Sequence, residues 1–138
     1  MKELQEIKSL CKALKGKERE LRKAFGEFLE KWKEATDDVI ADGALERVKL
    51  LEVDYRVYYL KLGDDSLYFV SEEAWIEGDF YHAETASVEY IDVEVILNII
   101  DGLPGVLQKY VEKLKKRGCL YEMAVTFLKY GEVKDDKN

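Results

Sequence analysis

One apolar seam dominates the opening of this chain. Leu4, Ile7, Cys11 and Leu14, then Leu21, Phe25, Phe28, Trp32, Ala35 and Val39, follow one another at alternating steps of three and four. That is the a/d spacing of a heptad, which lines one face of an α-helix. Only Glu18 interrupts it. Gly16, in "KGKE", costs about 1 kcal/mol in a helix relative to alanine, yet the phase is kept across it. The spacing therefore predicts one continuous helix over residues 2–40. Such a helix would be roughly 57 Å long at 1.5 Å per residue. A compact domain of 138 residues is narrower than that, so part of the helix is expected to project or to meet a partner.

The two halves of the seam differ in bulk. Phe25, Phe28 and Trp32 are too large for easy knobs-into-holes packing in a two-stranded coil and suit a core. Leu4, Ile7, Cys11 and Leu14 are the sizes a tight coiled coil accepts. The second half is expected on the chain's own sheet. The first half is expected against a neighbouring helix, from this chain or from another copy. Leu4, Ile7, Cys11 and Leu14 are the candidate interface.

The period then changes from helix to strand. In "RVKLLEVDYRVYYLKL" (47–62), Leu51, Val53, Tyr55, Val57 and Tyr59 alternate with Glu52, Asp54, Arg56 and Tyr58, which predicts a half-buried strand. "GDDS" (63–66) reads as a turn and "LYFVS" (67–71) as the returning strand. After a break at "EGD" (77–79), a third strand is expected near 80–90, completing an antiparallel meander over 47–91. Asp92 is the predicted N-cap of a helix carrying Ile96, Ile99, Ile100, Leu103, Leu107, Tyr110, Val111 and Leu114. "KKRG" is expected to close it, with Gly118 as the residue after its end. Leu120, Met123, Ala124, Phe127 and Leu128 then predict a short core helix over 119–130, and residues 131–138 a fraying tail. The expected fold is α+β and a single domain: long N-terminal helix, three-stranded antiparallel meander, kinked helix and short C-terminal helix.

The chain's only proline, Pro104, lies in "NIIDGLPGVL" between Gly102 and Gly105. A G-x-x-G clamp on nucleic-acid backbone would need cations, but Asp101 precedes the stretch and no Lys or Arg follows before Lys109. A Walker loop would need G-K-[ST], and a dinucleotide loop G-x-G-x-x-G; both are absent. What remains is backbone mechanics. Proline cannot donate to the carbonyl of Ile100 and crowds that turn. The prediction is a kink, or two short helices with Pro104 opening the second.

Charge is segregated along the chain. Residues 1–34 hold 10 Lys/Arg against 7 Asp/Glu, residues 35–105 hold 4 against 17, and residues 106–138 hold 8 against 5. A middle segment of net −13 between two of +3 predicts attraction within one molecule or one oligomer, and a face that can receive a basic protein partner. The same acidity argues against nucleic acid. The basic run Lys113, Lys115, Lys116 and Arg117 is where phosphate contact would sit in a nucleic-acid-associated regulator. A helix-turn-helix reading of the last two helices fails, because "CLYEMAVTFLKY" is too apolar for a recognition helix.

Enzymatic signals are sparse. His82 is the only histidine, which removes most hydrolytic constellations. A strand places His82 and Glu84 two residues apart, and Glu89 or Asp79 is the further carboxylate a metal would need. The H-x-E spacing lacks the P-C-x-x-C partner of zinc deaminases. Cys119 follows Lys115, Lys116, Arg117 and Gly118 near an expected helix N-terminus, which favours a thiolate, but no histidine lies beside it in sequence. The carboxylates Glu72, Glu73, Glu77, Asp79, Glu84, Glu89, Asp92 and Glu94 have no lysine among them, as a nuclease-like site would want.

No cofactor is expected. The opening "MKELQEIKSL" interleaves charges where a secretory signal has an apolar run, and no run approaches the roughly 18 apolar residues of a membrane span. With two unpaired cysteines expected, the reading is a cytoplasmic, non-enzymatic protein that self-associates through its first helix, as a homo-oligomer or adaptor. The chain is 37% charged with only Gln5, Asn98, Gln108 and Asn138 as amides, the pattern reported for hyperthermophile proteins. A thermal unfolding scan is expected to place the midpoint well above the mesophilic range of about 45–65 °C; a midpoint near 50 °C would remove the thermophilic expectation.

Overall fold

The computed structural model describes residues 1–39, 41–53, 56–62, 68–74, 81–86 and 88–131. It opens with helix α1 (Lys2–Ala35), unbroken through Gly16. The helix ends at Ala35, short of the expected residue 40. Thr36 stops it: its hydroxyl donates to the carbonyls of Trp32 (3.1 Å) and Lys33 (3.0 Å), and its N–H goes to the same two. A side chain that satisfies carbonyls at the last turn competes with continuation of the helix. Two single turns of 3-10 helix follow, Asp37–Val39 and Gly43–Leu45. The Asp42 carboxylate accepts from the Ala44 N–H and caps the second.

The expected strand over 47–62 is two strands, β1 (Arg47–Val53) and β2 (Arg56–Lys61). With β3 (Tyr68–Ala74) and β4 (Tyr81–Ala86) they form a four-stranded antiparallel sheet in the order β1-β2-β3-β4. The meander topology is as expected; the three-strand count is not. Alternation alone did not show the reversal after Val53, because Val53 and Val57 keep the same parity across it. The expected turn over 63–66, the break at 77–79 and the tail over 132–138 lie outside the described residues.

Which side of the sheet is buried also differs from the alternation. Val48, Leu50, Leu60 and Leu62 are buried, while Val53 is exposed and Leu51, Val57 and Tyr59 are half-buried. Register sets which residues of the two strands share a side. Val48 pairs with Leu60 and Lys49 with Tyr59, but Leu51 pairs with Tyr58, so an irregularity falls at Leu50. The extra residue carries Leu51 to the side of its partner Tyr58, and so of Leu60, while Val57 and Tyr59 stay on the opposite side. On the other side, the Arg47 guanidinium lies 3.9 Å from the centre of the Tyr59 ring.

The second long helix, α2, is Val93–Tyr130. Asp92 caps it as expected, its carboxylate accepting the Glu94 N–H at 2.7 Å. The expected division into a kinked helix and a short one is absent: α2 continues through Pro104 and through Gly118. Gly118 lies in mid-helix. The glycine that ends α2 is Gly131, with φ +69°, and its N–H returns to the carbonyl of Phe127 at 2.8 Å. That left-handed conformation is the one glycine adopts without a side-chain clash.

The chain forms two compact units, Met1–Gly102 and Leu103–Asn138. The boundary falls just before Pro104, where the proline leaves the Ile100 carbonyl without its intrahelical donor. In the first unit the buried apolar side chains are Phe25, Leu29 and Trp32 of α1, Leu45, Val48, Leu50, Leu60 and Leu62 around the sheet, and Ile91, Ile96 and Ile99 at the start of α2. In the second, Tyr110 is buried. Residues 119–130 are exposed throughout, including Leu120, Met123, Phe127 and Leu128. The expectation of a core helix there is overturned. Helical spacing says which face seeks cover, not whether cover exists.

Arg22 fastens α1 to the segment that leads into α2. Its Nη1 donates to the carbonyls of Val88 (2.8 Å) and Ile91 (2.7 Å), and its Nε to Glu18 Oε2 (3.1 Å). Charge-assisted bonds to part-buried carbonyls contribute more than an exposed ion pair on one helix. Arg22→Ala is therefore expected to cost about 2–3 kcal/mol of stability in denaturant unfolding followed by tryptophan fluorescence, and Glu18→Ala less than about 0.5 kcal/mol.

Candidate functional site

Three pairs of residues on α1 define the site. Ile7 and Phe25, Cys11 and Leu29, Leu14 and Trp32 are each 18 residues apart. At 3.6 residues per turn, 18 residues make about five whole turns. Each pair therefore points the same way, and one apolar stripe runs the length of the helix. Its two halves differ in cover. Phe25, Leu29 and Trp32 are 4%, 0% and 7% exposed; Leu4, Ile7, Leu10 and Leu14 are 60%, 54%, 62% and 66% exposed. Cys11 is exposed as a free thiol.

The change comes at Glu18 and Arg22. Both lie on the line of the stripe, one turn apart, and they are bonded to each other. Arg22 also holds the 88–91 segment. From Leu21 onward the stripe enters the core; before Glu18 it is bare. The bare part is concave as well as apolar. Ile7, Leu10, Cys11, Ala13, Leu14 and the stem of Lys17 line a shallow groove of about 330 Å³. Ile7, Leu10, Cys11 and Leu14 stand at i, i+3, i+4 and i+7, the four corners of the hole that receives a knob from a facing helix.

The four candidate interface residues thus lie on one face, and the structure adds Leu10. Counting a and d positions passes over Leu10, which is a g residue of the heptad. Its distances of three from Ile7 and four from Leu14 were the available signal.

Of the other candidate residues, His82 and Glu84 are placed by strand register alone. Register pairs His82 with Glu73 and Glu84 with Ser71 across β3 and β4, and Asp79 lies outside the described residues. Glu89 is exposed, and Asp92 is occupied as a helix cap. Among the described residues, no three His, Cys, Asp or Glu side chains are placed to hold a metal ion. The Lys49 ammonium is held above its ordinary pKa, and the Glu52 carboxyl below its own, by the 2.7 Å hydrogen bond between them; this is an exposed ion pair on β1.

Lys113, Lys115 and Lys116 are exposed and Arg117 half-buried, all within α2. Lys113, Lys116 and Arg117 share a helical face, and the Arg117 guanidinium lies 5.8 Å from the Tyr121 ring centre. Because α2 continues through this segment, the expected helix N-terminus beside Cys119 is absent, and with it the dipole that would favour a thiolate there. The same continuity removes the turn that a helix-turn-helix would need.

Among the described residues no helix is long and apolar enough to cross a membrane. Comparison with protein-family models, with curated proteins and with solved structures finds no match to this chain.

Proposed function

We propose that this protein is a non-enzymatic, cytoplasmic self-associating or adaptor protein, and that the first half of α1 joins its copies. The observation that carries the reading is the 18-residue repeat of one stripe, buried at Phe25, Leu29 and Trp32 and bare at Ile7, Cys11 and Leu14. A bare apolar stripe of four to five residues on an otherwise charged helix is held in water at a cost, and a second helix removes that cost. Lys2, Glu3, Glu6, Lys8, Lys12, Lys15 and Lys17 surround the stripe and keep the free chain soluble.

The charge pattern agrees with an adaptor. The acidic middle segment remains available to a basic protein partner while α1 holds the copies together. The association is expected to be reversible, because the stripe is short compared with the interfaces of permanent oligomers.

Sedimentation equilibrium across a concentration series tests the reading. The full chain is expected to start near its monomer mass of 16.0 kDa and to rise in the micromolar range. Ile7→Glu with Leu14→Glu is expected to hold it at 16.0 kDa throughout, with an unchanged circular dichroism spectrum. A full chain that stays monomeric at high micromolar concentration, or an oligomer that survives deletion of residues 1–16, contradicts it.

A further inference from the structure

We propose that α1 pairs with the same segment of a second copy in antiparallel register, with Ile7 of each copy seated between Ile7, Leu10, Cys11 and Leu14 of the other. This rests on the self-association reading above and gives it a geometry. The pairing is isologous: one two-fold axis, passing beside Ser9, makes both halves of the contact equivalent.

Space decides the orientation. The face that is bare at Ile7, Cys11 and Leu14 is the face that the first unit's core fills at Phe25, Leu29 and Trp32. Helices in contact run about 8–10 Å apart. Two copies joined in parallel and in register would bring both cores to the same stretch of that narrow gap. Joined antiparallel, residues 4–14 overlap and the two cores lie at opposite ends of the overlap.

The layers agree. With the axis beside Ser9, Leu4 faces Leu14 and Ile7 faces Cys11, so every facing position is apolar. Glu18 falls beyond the last layer, where it keeps its bond to Arg22. A parallel pair would instead set Glu18 against Glu18 inside the seam.

Charge agrees as well. Along one flank of the antiparallel pair Leu10 meets Leu10, and Glu3 meets Lys17 twice. The other flank brings Lys8 near Lys8, a repulsion exposed to solvent and screened by salt. The parallel pair gains Glu3 against Lys8 but sets Lys17 against Arg22. The antiparallel pair also separates the two acidic segments, each of net −13 over residues 35–105.

Cys11 makes the register readable by disulfide formation, which demands closely facing side chains. Two full-length chains are needed. The first carries Cys119→Ser and retains Cys11. The second carries Ile7→Cys, Cys11→Ala and Cys119→Ser, with a tag that changes its size. Mild copper-phenanthroline oxidation of the mixture is expected to give the disulfide-linked heterodimer as the main product. The first chain oxidised alone is expected to stay uncrosslinked while sedimenting as a dimer. Efficient crosslinking of the first chain to itself would show the parallel pair and overturn the proposal. A dimer that crosslinks in neither experiment would overturn the register. A chain that sediments only as a monomer would overturn self-association itself, and leave the stripe to a foreign apolar helix.

Discussion

A helix can bury its apolar face only where something lies against it, and here the core meets α1 only along its second half. The Arg22 clamp marks where that cover begins. Its guanidinium joins Glu18 on the helix to two carbonyls of the segment that leads into α2. From there on Phe25, Leu29, Trp32 and Thr36 are buried. Before it the same stripe continues into solvent with no change of phase. The functional reading follows from this mismatch between the length of the apolar face and the reach of the core.

The second unit poses a related problem with a different sequence. Residues 119–130 of α2 are as helical and as exposed as the start of α1, and they carry Leu120, Met123, Phe127 and Leu128. Leu128 stands 18 residues after the buried Tyr110, so α2 too carries a face that is covered in one part and bare in another. The charge blocks complete the picture. Both basic ends of the sequence carry an exposed apolar face, and the acidic middle carries the sheet and most of the core. Electrostatics therefore favours arrangements in which the ends of one copy approach another while the middles stay apart.

Much of the fold was legible because period is a direct consequence of backbone geometry. The seam foretold a helix through Gly16, since one glycine costs little against so long a run of helix formers. Asp92 foretold the start of α2, since a carboxylate before an apolar run has one favoured use. The errors arose where two neighbouring signals are locally alike. Gly118 and Gly131 both follow basic or aromatic residues at a plausible helix end, and only the backbone conformation tells them apart. Val53 and Val57 keep one parity across a reversal that alternation cannot see, and alternation does not say which parity meets the core: Leu60 and Leu62 are buried where Val57 and Tyr59 are half-buried. Of the site, Leu4, Ile7, Cys11 and Leu14 were readable as a face. Leu10 was not, because heptad counting treats a g position as a flank. The Arg22 clamp was beyond reach, since its acceptors are backbone carbonyls some 66 to 69 residues away.

The central claim is that the stripe is bare in one copy and covered by another. Reactivity of the Cys11 thiol in a Cys119→Ser chain measures that directly, because Cys11 lies at the centre of the groove. With a colorimetric disulfide reagent, the thiol should react as fast as a free peptide thiol in dilute solution. It should slow as concentration rises, in step with the increase in mass. A thiol equally protected at every dilution would mean that the chain covers its own stripe, and would contradict the account.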